Sequence, residues 1–195
     1  MSFRLRIPSL VVTFTLLLAG QAAVAESPEP EQSFQTCGLI TAELFTLAQL
    51  MMKGATADDL IEVLPKTVKS TPQVIRTLEA RMTAQGAESV LLSIHQDYAR
   101  CARRVYQTFG LPPKGSAEYG YQVCAGESRI RTEIIMAARM GATADDVLPQ
   151  LPETHHELAR ELIDTVAGKG ALAALDHSAT LLKRCMNRVA GARSE

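Results

Sequence analysis

The chain has 195 residues, with 20 Lys or Arg against 21 Asp or Glu, and its formal net charge is −1. This balance gives no electrostatic reason to expect a nucleic-acid partner, which would favour a basic surface. It also provides no polybasic segment of the kind that holds a protein on an acidic membrane.

Residues 1–25 have the pattern of a secretory signal peptide. Two arginines precede an apolar run over 10–19, and the small residues Ala23-Val24-Ala25 follow. This order predicts export with cleavage after Ala25, and the apolar run is short for a membrane span. We therefore expect a periplasmic or secreted chain with no membrane span after cleavage.

The four cysteines predict two disulfides, because an even count in an exported chain favours a disulfide framework. Zinc is the alternative, but no C-x-x-C motif is present and no two cysteines have the spacing of a zinc finger or ribbon. The cysteines are Cys37, Cys101, Cys124 and Cys185.

A short phrase occurs twice, as MKGATADDLIEVLP at 52–65 and as RMGATADDVLPQLP at 139–152. A cysteine precedes each phrase at the same spacing, which predicts duplication of one supersecondary unit. Pairing within each unit gives Cys37–Cys101 and Cys124–Cys185. The predicted segments are an N-terminal extension at 26–36, helical repeat 1 at 37–105, a Pro/Gly/Tyr connector at 106–123, helical repeat 2 at 124–189 and a C-terminal tail at 190–195.

Apolar residues recur at helical spacing in both units, and no segment has the alternation of a strand. The matched stripes are Leu47, Ala48 and Met51 with Ile134, Ile135 and Ala138, and Leu91, Ile94, Tyr98, Cys101 and Val105 with Leu175, Ser178, Leu182, Cys185 and Val189. We predict an all-α helical bundle, formed by tandem duplication of a disulfide-stapled unit of about four helices.

Each repeated phrase is predicted to be a corner between two helices. A glycine ends one helix, a threonine caps the next, an aspartate at the N3 position accepts from free amides, and a proline ends the short helix. These residues are Gly54, Thr56, Asp59 and Pro65 in the first copy, and Gly141, Thr143, Asp146 and Pro152 in the second. Calcium binding by Asp58-Asp59 or Asp145-Asp146 is the alternative, but the phrase lacks the alternating oxygen ligands of a calcium loop. The next helix is expected to begin at Thr71-Pro72 in unit one and at a capping box, Thr154 to Glu157, in unit two.

Catalytic and cofactor motifs are not found, and no cofactor is predicted. The histidines, which form no zinc motif, are expected to cap helices or to be exposed: His95, His155, His156 and His177. Met136 and Met140 are spaced to bind Cu(I), but core packing is the favoured role of such methionines.

The connector and the helix before it carry the candidate partner-binding residues Tyr119, Tyr121, Arg100, Arg103 and Arg104, because tyrosine and arginine are enriched in binding hot spots. In the alternative interpretation, the aromatic residues fill a seam between the repeats and the arginines decorate a helix C-terminus.

The sequence thus favours a non-catalytic, periplasmic helical protein that binds another protein. Its compartment and fold class are similar to those of periplasmic immunity proteins, which neutralise antibacterial effectors, and of acid-stress chaperones. A metal or small-ligand carrier and an enzyme whose residues meet only in the fold are further alternatives. The sequence leaves the oligomeric state open.

Overall fold

The computed structural model describes residues 32–63 and 71–192, which form seven α-helices and two short 3₁₀ segments. The helices pack into a bundle, in which α5 lies against α1, α4 and α7, and the predicted all-α class is confirmed. The helices are α1 Phe34–Met52, α2 Ala57–Val63, α3 Thr71–Gln85, α4 Ala87–Phe109, α5 Ala117–Arg139, α6 Ala144–Val147 and α7 His156–Gly191; the 3₁₀ segments are Leu148–Gln150 and Glu153–His155. The predicted signal peptide, most of the N-terminal extension and Pro65 lie outside the described residues.

The apolar stripes form the core of the bundle. On α4, residues three and four positions apart point inward, and Leu91, Ile94, Tyr98 and Val105 are each at most 3% exposed. The matching residues of α7, from Leu175 to Cys185, are buried in the same core. On α1 and α5, Leu47, Ala48, Ile134 and Ile135 are buried with them, whereas Met51 and Ala138 are partly exposed.

Two disulfides join neighbouring helices. Cys37 of α1 is bonded to Cys101 of α4, with Cα atoms 5.9 Å apart. Cys124 of α5 is bonded to Cys185 of α7, with Cα atoms 5.8 Å apart. The predicted pairing is confirmed.

The repeated phrase is a helix corner in both places. Gly54 and Gly141 have φ values of +100° and +94°, which non-glycine residues rarely adopt. After Gly141, the Asp146 carboxylate accepts hydrogen bonds from the Thr143 amide at 2.8 Å and the Thr143 hydroxyl at 2.7 Å. Thr56 and Asp59 make the same pair of bonds at 2.9 and 2.6 Å. These bonds lower the pKa of Asp59 and Asp146, because they stabilise the charged carboxylate.

The chain after the second corner differs from the prediction. Helix α6 ends at Val147 and not at Pro152, because the 3₁₀ segment that contains Pro149 follows it directly. The capping box predicted at Thr154 is wrong: Thr154 lies in the second 3₁₀ segment, and α7 begins two residues later without a side-chain cap. Both prolines lack an amide proton, which prevents a regular helix from continuing between them.

The connector is shorter than the predicted 106–123. Helix α4 continues to Phe109 and is closed by Gly110 at φ +76°, and α5 begins at Ala117 after the cap residue Ser116. Only residues 110–116 join the two helices, so the aromatic residues assigned to the connector belong to helices.

Glycines with positive φ also separate helical segments in both halves of the chain. Gly86, at φ +81°, separates α3 from α4. Gly170, at φ +83°, interrupts the helical geometry inside α7. Helix α7 therefore consists of two helical segments that meet at this residue.

Candidate functional site

The loop between α4 and α5 lines a groove of about 750 Å³, which we call the apolar groove. The beginning of α1 also lines it, through Phe34. Phe109 and Leu111 are 67% and 63% exposed, and Pro112 and Pro113 extend the same surface. Because grouped large apolar side chains are seldom left in water without a reason, this groove is a candidate binding surface.

Hydrogen bonds at the N-termini of α1 and α5 hold the apolar groove in shape. Ser33 Oγ accepts a hydrogen bond from the Thr36 amide at 3.0 Å and caps α1. Glu118, in the first turn of α5, accepts a hydrogen bond from the Phe34 amide at 2.9 Å, and Ser116 caps α5. The Glu118 carboxylate thus joins the two helices by satisfying a free amide of α1, where negative charge is favourable.

The predicted arginines lie on the outer side of α4, where they line a separate cavity together with Asp97. Arg100, Arg103 and Arg104 are all exposed. Arg100 pairs with Asp97 one turn earlier. In the part of the chain that the structure describes, neither Arg103 nor Arg104 forms an ion pair. Three arginines beside one aspartate give this part of α4 a net positive charge.

The two tyrosines predicted to bind a partner, Tyr119 and Tyr121, differ in their burial. Tyr119 is half-buried in the first turn of α5. Tyr121 is 1% exposed, so its side chain offers no surface to a partner, contrary to its choice as a partner-binding candidate. The physical reason is its position, three residues before Cys124 on the core face of α5. Tyr106 is instead the exposed tyrosine of this region, at 50%.

A second groove of about 330 Å³ runs between α4 and α5, and we call it the α4–α5 groove. Small residues from both helices line it together with longer polar ones. From α4 these are Ala99, Ala102, Arg103 and Tyr106, and from α5 Gln122, Ala125, Gly126, Arg129 and Ile130. Phe34 borders both this groove and the apolar groove, so the two are adjacent.

Polar side chains in the core form a cluster that sequence reasoning missed. His95 is 2% exposed, which corrects the expected capping or exposed role. Its ring lies against Phe45, and its nitrogens are 3.3 Å from Ser128 Oγ and 3.3 Å from the Leu175 carbonyl oxygen. Burial is the main reason that its pKa falls to about 4, and the positive charge of Arg131 adds to this effect.

Arg131 belongs to the same cluster and is 3% exposed. Its Nη1 lies 3.4 Å from Glu127, one turn earlier on α5. Burial lowers the pKa of Arg131, and the Glu127 charge opposes this change. The burial of Arg131 could have been inferred from the sequence, because Arg131 lies at helical spacing on the same stripe of α5 as Cys124 and Ile135.

The remaining candidate ligands are dispersed. His156 lies 3.0 Å from the Leu151 carbonyl oxygen, and His177 pairs with Glu161 at 3.4 Å. Met140 is 79% exposed at the end of α5, and Met136 is half-buried. Over 32–63 and 71–192, no three His, Cys, Asp or Glu side chains are grouped as metal ligands.

None of the described helices has an apolar stretch long enough to cross a membrane. Comparison with family models, curated proteins and solved structures finds no match for this chain.

Proposed function

We propose that this is an exported, non-catalytic protein that binds another protein at the apolar groove. The observation that carries the proposal is the exposure of Phe109 and Leu111 beside a groove whose framework is held by helix caps. Burial of a Phe or Leu side chain contributes roughly 1.5–3 kcal/mol. A partner that covers both residues would thus gain a substantial part of its binding energy from two contacts.

The surroundings of the groove support a protein partner. Tyr106 and Arg103 are exposed on α4 near the groove, and these residue types are enriched in interface hot spots. The set that we propose for partner binding is accordingly Tyr106, Phe109, Leu111, Arg103 and Arg104, with Arg100 and Tyr119 at its margin.

Export is a second part of the proposal. The signal pattern over 1–25 supports it, and two disulfides are consistent with an oxidising compartment outside the cytoplasm. The periplasm is the compartment that we propose, with cleavage after Ala25.

Tandem duplication is the proposed origin of the fold. The corners at Gly54 and Gly141 support it, as do the helix breaks at Gly86 and Gly170. Each disulfide also joins the first helix of a copy to the last helical segment of that copy.

Site-specific photo-crosslinking in the cell envelope tests the binding function. A photoreactive residue at position 109 should form a discrete adduct with another protein, because Phe109 is 67% exposed at the groove. Position 140 is the matched control, since Met140 is 79% exposed at the far end of α5.

The adduct formed from position 109 should disappear when Leu111 is replaced by Ser, with the melting temperature unchanged. The same adducts from both positions, or an adduct that does not respond to Leu111→Ser, would contradict the proposed function.

A further inference from the structure

The α4–α5 groove combines small apolar side chains with arginines, whereas no arginine lines the apolar groove. Four of its lining residues, which we call the floor, have side chains no larger than a methyl group: Ala99, Ala102, Ala125 and Gly126. Its borders carry the guanidinium groups of Arg103 and Arg129 and the ring of Tyr106. A shallow floor between two helices, with charged borders, suits a third helix that lies along them.

Gly126 is a residue that packing inside the protein does not explain. Glycine weakens a helix interior relative to alanine, and a Cβ atom at position 126 would meet no atom within 4 Å. By contrast, a Cβ atom at Gly38 would overlap the side chain of Met186, and one at Gly120 would lie 2.9 Å from Val189. At those two positions a side chain would contact a neighbouring helix, whereas Gly126 leaves open space on the surface.

The arginines beside the groove favour a negatively charged ligand. Arg103 borders both the α4–α5 groove and a cavity of about 340 Å³ formed by Asp97, Arg100, Arg103 and Arg104. Only Arg100 in this set has an ion pair among the described residues, and its partner is Asp97. Arg129, on the other border, pairs with Glu133, but both of these side chains are more than half exposed. An acidic ligand would therefore find guanidinium groups available on the α4 side.

We propose that the α4–α5 groove binds an acidic amphipathic helix of the partner protein. The apolar stripe of this helix lies on the alanine and glycine floor, and the Asp or Glu side chains of the helix pair with Arg103 and Arg104. The part of the groove that α4 lines, from Ala99 to Tyr106, extends for about two turns, or roughly 10 Å. The recognised segment is thus short, with apolar residues at i, i+3 or i+4, and i+7. This inference rests on the proposed protein-binding function and names the class of partner.

Selection from a displayed library of random 16-residue peptides tests the inference without prior choice of a ligand. The bait is the mature, oxidised chain. Selected peptides should carry a net negative charge and apolar residues at helical spacing. Selected sequences that are neutral or basic, or that lack this spacing, would overturn the proposal.

Two glycine variants then test the place of binding. Gly126→Leu fills the floor and should weaken binding of a selected peptide at least tenfold. Gly168→Leu is the matched control, because Gly168 is also a helical glycine whose added Cβ atom meets nothing within 4 Å. It should leave the dissociation constant unchanged. Both variants should retain the native circular dichroism spectrum, since neither substitution meets a neighbouring atom at its Cβ.

Charge reversal provides an independent measurement. Arg103→Glu should weaken binding at least tenfold in low salt, and the loss should shrink as the salt concentration rises. Equal binding by the parent chain and Gly126→Leu, or by the parent chain and Arg103→Glu, would overturn the inference. If the adduct at position 109 forms normally in Gly126→Leu, the proposed function stands while this inference fails. If the adduct is lost in Gly126→Leu and Arg103→Glu but not in Gly168→Leu, the result supports both the proposed function and this inference.

Discussion

At His95, burial and hydrogen bonding act on the imidazole in opposite directions. Burial disfavours the charged ring and lowers its pKa, whereas the hydrogen bond to the Leu175 carbonyl raises it. Burial is the larger cause, and Arg131 adds a like charge, so the pKa is about 4. His95 is therefore a neutral, hydrogen-bonded part of the core at neutral pH.

The lowered pKa predicts a pH dependence of stability. In the unfolded chain His95 has its ordinary pKa of about 6.5, so between that value and about 4 the unfolded state binds the proton and the folded state does not. The free energy of unfolding should thus fall as the pH drops from about 6.5 to 4, by about 3 kcal/mol in total from this residue. Urea denaturation of the parent chain and of His95→Gln over this range measures the difference. The variant should lose less stability on acidification, and parallel curves for the two proteins would contradict the assignment.

At the scale of the element, helix α5 carries two ion pairs of the same spacing in different surroundings. Glu127 and Arg131 are 3.4 Å apart, with the arginine side chain 4% exposed. Arg129 and Glu133 are 3.3 Å apart, and both side chains are exposed. Loss of the counter-ion of a buried charge is costly, whereas exposed pairs contribute little.

Glu127→Gln should therefore lower the free energy of unfolding by about 1–2 kcal/mol, less than for a fully buried pair because Glu127 is partly exposed. Glu133→Gln, the control on the same helix, should cost at most about 0.5 kcal/mol. Chemical denaturation of both variants at pH 7 gives the comparison. Equal losses would mean that groups other than Glu127 balance the Arg131 charge.

The ends of helices could be predicted from the sequence only where nearby residues determine them. The Gly–Thr–Asp corners need only a positive φ and nearby amides, so Gly54 and Gly141 could be assigned from the sequence. The end of α6 depends on how Pro149 and Pro152 divide the chain into 3₁₀ turns. Tyr121 was misplaced because it was assigned to a connector at 106–123, whereas α5 already begins at Ala117 and carries Tyr121 on its core face.

At the scale of the whole molecule, the periodic apolar residues and the cysteine spacing were sufficient for the all-α class and the disulfide pairing. The two grooves could not be predicted, because they depend on how α1, α4 and α5 pack together. The burial of His95 and Arg131 was missed for a related reason. Periodicity assigns polar residues to the surface, and only the packing of α5 against α4 and α7 places these two inside.

The two disulfides should contribute about equally to the stability of the bundle. They close segments with sequence separations of 64 and 61 residues, and the chain-entropy model assigns about 4 kcal/mol to each. Replacement of Cys37 and Cys101 by Ala, or of Cys124 and Cys185 by Ala, should thus cost similar free energies of unfolding. Because α5 packs against α1, α4 and α7, each variant should still unfold in one transition. Urea denaturation followed by near-ultraviolet circular dichroism, which detects the buried Tyr98 and Tyr121, measures both quantities. Two separate transitions in either variant would show that the helices joined by one disulfide fold independently of those joined by the other.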